Sequence, residues 1–221
     1  MNFEPQTMTA AWPTLFFSYK YKNYQQNKNK LLDLIYDMSN KQNEDIDSGV
    51  SASLKSNLKE SKFNFLETQT PEVQDLKLFF NNCISNIMTH GLSSTGLFNL
   101  DENVKPVVQI KESWYHITNN NGSHGFHIHP GYSWGAIFYL QSSECSTRTS
   151  NGINRFYNMN TVAGANDLGS QWWEQHMFLD AEPEEGTVFI FPAWIPHEAT
   201  KYNGAEDRVI ISVNTNVFGE L

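Results

Sequence analysis

From residue 106 to the C-terminus the chain runs in short β-favouring stretches separated by turns, and this pattern most limits its fold. Residues 107–111 and 113–118 are rich in β-branched and aromatic side chains, and residues 119–122 (Asn, Asn, Asn, Gly) follow as a turn. Further runs at 133–140, 153–157, 187–191 and 207–214 are bounded by Gly, Pro, Asn or Asp. Short strands at such intervals indicate an antiparallel sandwich or barrel. The helices lie before it. Aromatics at Phe17, Tyr19 and Tyr21 suggest a short strand within 12–23, and Leu31, Ile35 and Met38 recur at helical spacing over 28–41. Residues 40–62 are polar and read as loop. Thr70, Pro71 and Glu72 suit the N-cap and first turn of a helix whose stripe runs from Val73 through Leu76, Phe80, Cys83 and Ile84 to Ile87, with Gly91 as its stop. The expectation is a mainly β chain with N-terminal helices. It forms one domain over 1–221, with a supporting strand and helices over 1–105 and a β core over 106–221.

Inside the β region, residues 122–134 hold three of the seven histidines, His124, His127 and His129, within six positions. Side chains at i and i+2 of a strand share a face, so His127 and His129 present two imidazoles to one point. His124 stands an odd step away after a Gly/Ser pair and reads as a loop residue. A third donor must come from elsewhere, and His197 supplies it from a bend bounded by Pro192 and Pro196. Three imidazoles on one side of a metal leave positions open for reactants, as a catalytic metal requires. Of the remaining histidines, His116 shares a face with Trp114, while His90 and His176 read as surface or helix-end residues.

Arg208 opens an otherwise apolar strand, and an arginine entering a buried strand needs an anionic partner. Its planar fork suits a carboxylate, whether a ligand's or that of Glu206. Ser212 and Asn214 share its strand parity and would line the same interior.

Composition narrows the partners. The formal charge of −9, from 15 basic and 24 acidic residues, offers no counterion release and argues against a general nucleic-acid binder. No run reaches the roughly 18 apolar residues of a membrane span. The N-terminus lacks the regions of a secretory signal, and two isolated cysteines suggest no disulfide framework, so the expectation is a cytoplasmic protein. The segment 158–177, with Trp172 and Trp173, reads as a lid or substrate wall.

The trio His127, His129 and Pro130, Tyr139 in the next strand, the run from Gly186 through Pro192 to His197, and Arg208 to Asn214 together resemble the iron(II)- and 2-oxoglutarate-dependent oxygenase superfamily. Within it the chain is most similar to oxygenases common in marine bacteria and their phages. The likeness covers about residues 107–217, and it implies a double-stranded β-helix (jelly roll) in the cytoplasm of a bacterium or an infected host. It implies Fe(II) on His127, His129 and His197, with the co-substrate 2-oxoglutarate on Arg208, Tyr139, Ser212 and Asn214. It also implies O2 as oxidant, succinate and CO2 as co-products, and a small-molecule or peptide substrate; a homodimer is compatible with it. Where the superfamily usually carries aspartate this chain has His129. Either the iron centre is built from three histidines, the preferred reading, or a carboxylate elsewhere completes it. Two rivals remain: a cupin-type metal dioxygenase, to which Arg208 is optional, and a non-catalytic jelly-roll binding or structural protein.

Overall fold

The computed structural model describes residues 14–41, 54–91, 104–159 and 177–220. Strand β1 (Phe17–Lys20) leads into helix α1 (Tyr24–Lys41). Strand β2 (Lys55–Glu60) precedes helix α2 (Pro71–Asn86), which ends in a π-helical turn (Ile87–Gly91). Seven strands follow: β3 (Lys105–His127), β4 (Trp134–Gln141), β5 (Asn154–Tyr157), β6 (Phe178–Ala181), β7 (Thr187–Pro192), β8 (His197–Tyr202) and β9 (Arg208–Glu220). Their hydrogen-bonded order is β1-β7-β4-β9-β3-β8-β5-β6, all antiparallel, with β2 laid along β3. The sheet curls into a jelly roll.

Strand β3 makes the curl. Its first part pairs β9 from Lys105 to Thr118, and its last part pairs β8 from Gly122 to His127. Between them Asn120 and Asn121 take positive φ of 51° and 61°, which asparagine tolerates better than most residues. A Cβ on Gly122 would collide with the carbonyl of Asn57 on β2. The Asn/Gly stretch is therefore a kink inside one 23-residue strand and not the turn between two strands expected from its composition. The polar stretch expected to be loop likewise contains β2, which alternates too weakly in hydrophobicity to be recognised before its pairing with β3 is known. The bounds of the expected elements shift as well: α1 starts at Tyr24 rather than 28, and β6 and β8 are strands additional to the expected ones. Thr70 sits at the N-cap of α2 but makes no side-chain capping bond.

Period-2 burial sorts β9 between two cores. Val209, Ile211 and Val213 face Leu31, Ile35, Leu76, Phe80 and Ile84 of the two helices, within a cluster that also holds Tyr115, Phe138 and Val188. The alternate residues Arg208, Ile210, Ser212 and Asn214 face the interior of the roll, where Ile210 joins Ile137, Tyr139, Phe156, Phe191 and Ile195. The helices thus back one sheet, and the space between the sheets is left for polar groups.

Candidate metal centre

Two strand ends deliver the histidines. His127 closes β3 directly opposite His197, the first residue of β8. His129 lies two residues beyond β3, held by its amide N–H donating to the Ala193 carbonyl at 3.0 Å. Pro192 to Ile195 form a tight turn, closed by a 3.0 Å bond from the Ile195 N–H to the Pro192 carbonyl, that sets His197 against the other two. Candidate ligand atoms of all three lie within 4.8 Å of one another, with no carboxylate in the group among the described residues.

The hydrogen bonds fix which nitrogen each ring offers. His127 Nδ1 donates to the Gly125 carbonyl at 2.7 Å and His197 Nδ1 to the Ile195 carbonyl at 3.0 Å. A carbonyl only accepts, so both Nδ1 atoms carry the proton and both Nε2 lone pairs are bare. Nε2 of His129 stands 3.2 Å from Nε2 of His197. Two nitrogens each about 2.1 Å from a common cation have that separation when they subtend roughly 100° at it. Burial pushes the pKa of His127 and of His129 down to about 4 and that of His197 well below its usual value, so the imidazoles are neutral at pH 7. Neutral, convergent and oriented by second hydrogen bonds, the set fits a divalent transition metal.

The surroundings bear on the missing carboxylate. Glu60 is engaged by His116 Nε2 at 2.5 Å and Lys55 Nζ at 2.8 Å, and Glu112 accepts from Asn214 Nδ2 at 2.8 Å. Both acids are committed elsewhere. Trp114 lies parallel to His129, ring centroids 5.8 Å apart, and its buried indole N–H has no partner.

Arg208 is 1% exposed and donates to Asn154 Oδ1 at 2.7 Å, while its Nε has no partner. Among the described residues no carboxylate pairs with it, so the bond to Glu206 considered from the sequence does not form. Tyr139 donates to the same Asn154 oxygen at 3.2 Å, and burial pushes its hydroxyl pKa up. Ser212 lines the cavity beside the triad together with Ile137, Phe191 and Ile210. Asn214, buried and bonded to Glu112, contacts His129 and partly opposes the lowering of that ring's pKa by burial.

One site residue was misplaced by sequence reasoning and one was missed. His124 is not in a loop: it lies in β3, buried, with its ring 3.9 Å from that of His127 and nearly parallel to it. Two rungs are defined here, His127 opposite His197 and His124 opposite Ala199, three residues apart on β3 but two on β8. The extra residue is a bulge, and it turns His124 to the interior. Asn154 was missed because an asparagine opening a strand carries no signal without its neighbours. Trp172, Trp173 and His176 lie outside the described residues.

Residues 112–214 match the family described as "Putative 2OG-Fe(II) oxygenase". The matched stretch, just under half of the chain, contains the three histidines and Arg208. No curated protein matches the sequence. Among solved structures, this chain is similar to a Pseudomonas putida prolyl-4-hydroxylase, with 11% identity over 92% of each chain and a TM-score of 0.57. A prolyl hydroxylase from Trichoplax adhaerens, solved with a fragment of the hypoxia-inducible-factor oxygen degradation domain, shares 12% identity over 91% of this chain and 83% of its own, with a TM-score of 0.56. The epimerase SnoN, solved with Fe3+, alpha-ketoglutarate and nogalamycin RO, shares 10% over 92% and 79%, with a TM-score of 0.59. At these identities the likeness is one of fold.

Proposed function

We propose that the chain is an Fe(II)- and 2-oxoglutarate-dependent dioxygenase of the hydroxylase type, acting on a peptide or small-molecule substrate. The carrying observation is the pairing of two unusual features in one interior. Three neutral imidazoles converge, two of them with bare Nε2 atoms, and a buried guanidinium has no carboxylate partner among the described residues. A cupin-type metal enzyme needs the first and not the second.

In this reading His127, His129 and His197 hold the metal, and Arg208 takes the distal carboxylate of 2-oxoglutarate. When bound, the iron and the keto acid supply activation of O2 coupled to oxidative decarboxylation, with succinate and CO2 as products. The chain's own work is positioning and exclusion of water. The Gly125 and Ile195 carbonyls keep two ligand nitrogens bare, and Trp114 holds the plane of His129. Asn154 fixes the Arg208 fork while Tyr139 fixes Asn154. Ile137, Phe191 and Ile210 make the cavity wall apolar, which strengthens every charge-assisted contact inside it. The two free thiols, Cys83 and Cys145, suit a reducing cytoplasm. Fold neighbours solved with a peptide fragment and with nogalamycin RO support both substrate classes. Succinate release across a panel of peptides and metabolites tests the proposal; turnover that needs Fe(II) and 2-oxoglutarate supports it, and none with iron bound counts against it.

A further inference from the structure

Among the described residues, His124 is the one interior histidine with no assigned role. It is 8% exposed, and neither ring nitrogen makes a hydrogen bond with a described residue. The ring stacks on His127 and meets His116 edge-on, and it lines the cavity, so its nitrogens are available to a molecule bound there. The bulge between His124 and His127 aims this ring into the cavity that the triad shares.

Its place in the sheet says what it would meet. His124, Ala199 and Asn154 form one rung across β3, β8 and β5, directly below the rung of His127, His197 and Phe156. Neighbouring strands stand about 4.8 Å apart, so the outer members of the lower rung are roughly 10 Å apart at the backbone. The central member is alanine, which leaves a slot between them. On one side of that slot Asn154 carries Arg208. On the other side stands His124, its ring laid flat on that of His127. A molecule running from the triad toward Arg208 passes between the two.

We propose that His124 is a co-substrate-binding residue whose imidazole N–H donates to the keto-acid end of 2-oxoglutarate, while Arg208 takes the far carboxylate. This rests on the functional reading above. His124→Phe keeps a flat ring against His127 and removes both nitrogens, so it separates binding from bracing. The full chain is loaded anaerobically with Fe(II), and 2-oxoglutarate affinity is measured by calorimetry alongside metal affinity. A hydrogen bond to a charged group corresponds to about tenfold to hundredfold in affinity. The expected result for His124→Phe is 2-oxoglutarate binding weakened by about that factor with metal affinity unchanged, and partial recovery in His124→Gln, which restores an N–H. Wild-type 2-oxoglutarate affinity in His124→Phe overturns the inference. So does a parallel loss of metal and 2-oxoglutarate affinity, which would make the ring a brace for His127. If the unmodified chain binds iron but not 2-oxoglutarate, the functional reading fails first and takes this inference with it.

Discussion

Replacing Arg208 by methionine separates two consequences that a structural arginine would not separate. The side chain is 1% exposed, donates to the neutral Asn154 oxygen, lies near the Tyr139 ring and the Cys145 thiol, leaves Nε unpartnered, and pairs with no carboxylate among the described residues. Held this way, a buried charge is a burden on the empty fold. Substituting buried charged groups by apolar side chains of similar volume is often neutral or stabilising by about 1–4 kcal/mol. Arg208→Met is therefore expected to unfold at the same urea concentration as the wild type or a higher one. Binding should move the opposite way. A bidentate guanidinium–carboxylate contact comprises two charge-assisted hydrogen bonds of about 1.5–3 kcal/mol each, and allowing for non-additivity about 3–4 kcal/mol is lost. At roughly 1.4 kcal/mol per decade this is two to three orders of magnitude in affinity. Calorimetric titration of the iron-loaded variant under anaerobic conditions reads the second effect and urea unfolding reads the first. Undiminished 2-oxoglutarate affinity, or a variant destabilised by several kcal/mol, would refute the reasoning.

Two other expectations concern the triad. His127→Ala, His129→Ala and His197→Ala should each abolish stoichiometric iron, measured by metal analysis after desalting; full iron in His129→Ala would place that ring outside the coordination set. The metal-free protein should also lose stability as pH falls. His127 and His129 have folded pKa values of about 4, below the ordinary 6.5, and His197 is shifted the same way. His116 and His124 are lowered too, so the unfolded chain takes up all these protons first, and stability is full above pH 6.5 and declines as pH falls through about 4. The upper part of this window lies above the range in which Glu60 and Glu185, both lowered, are protonated. Unfolding midpoints that stay flat between pH 7 and 5 would contradict the assignment.

The parts of the site that were legible in the sequence rest on short-range geometry. The i, i+2 spacing of His127 and His129, the proline-bounded bend before His197 and the entry of Arg208 into an apolar strand each carry their meaning locally. What was not legible depends on pairing between distant strands. The parity rule excluded His124 because it counts residues along one strand, and a bulge defined only by the register of β8 reverses that count. Strand β2 was read as loop because its polar residues become buried only against β3, where Lys55, Glu60 and His116 satisfy one another. The kink at Asn120 and Asn121 looked like a turn for a sound local reason, positive φ, but the chain continues in the same direction through it. Asn154 gains its role from two donors 15 and 54 residues away.

The most direct measurement of the central claim is an anaerobic titration of the purified chain, first with Fe(II) and then with 2-oxoglutarate, followed by visible absorption. The account predicts one iron per chain, and then a weak metal-to-ligand band that saturates at one equivalent of 2-oxoglutarate. One iron per chain with no band and no heat on addition of 2-oxoglutarate would contradict it.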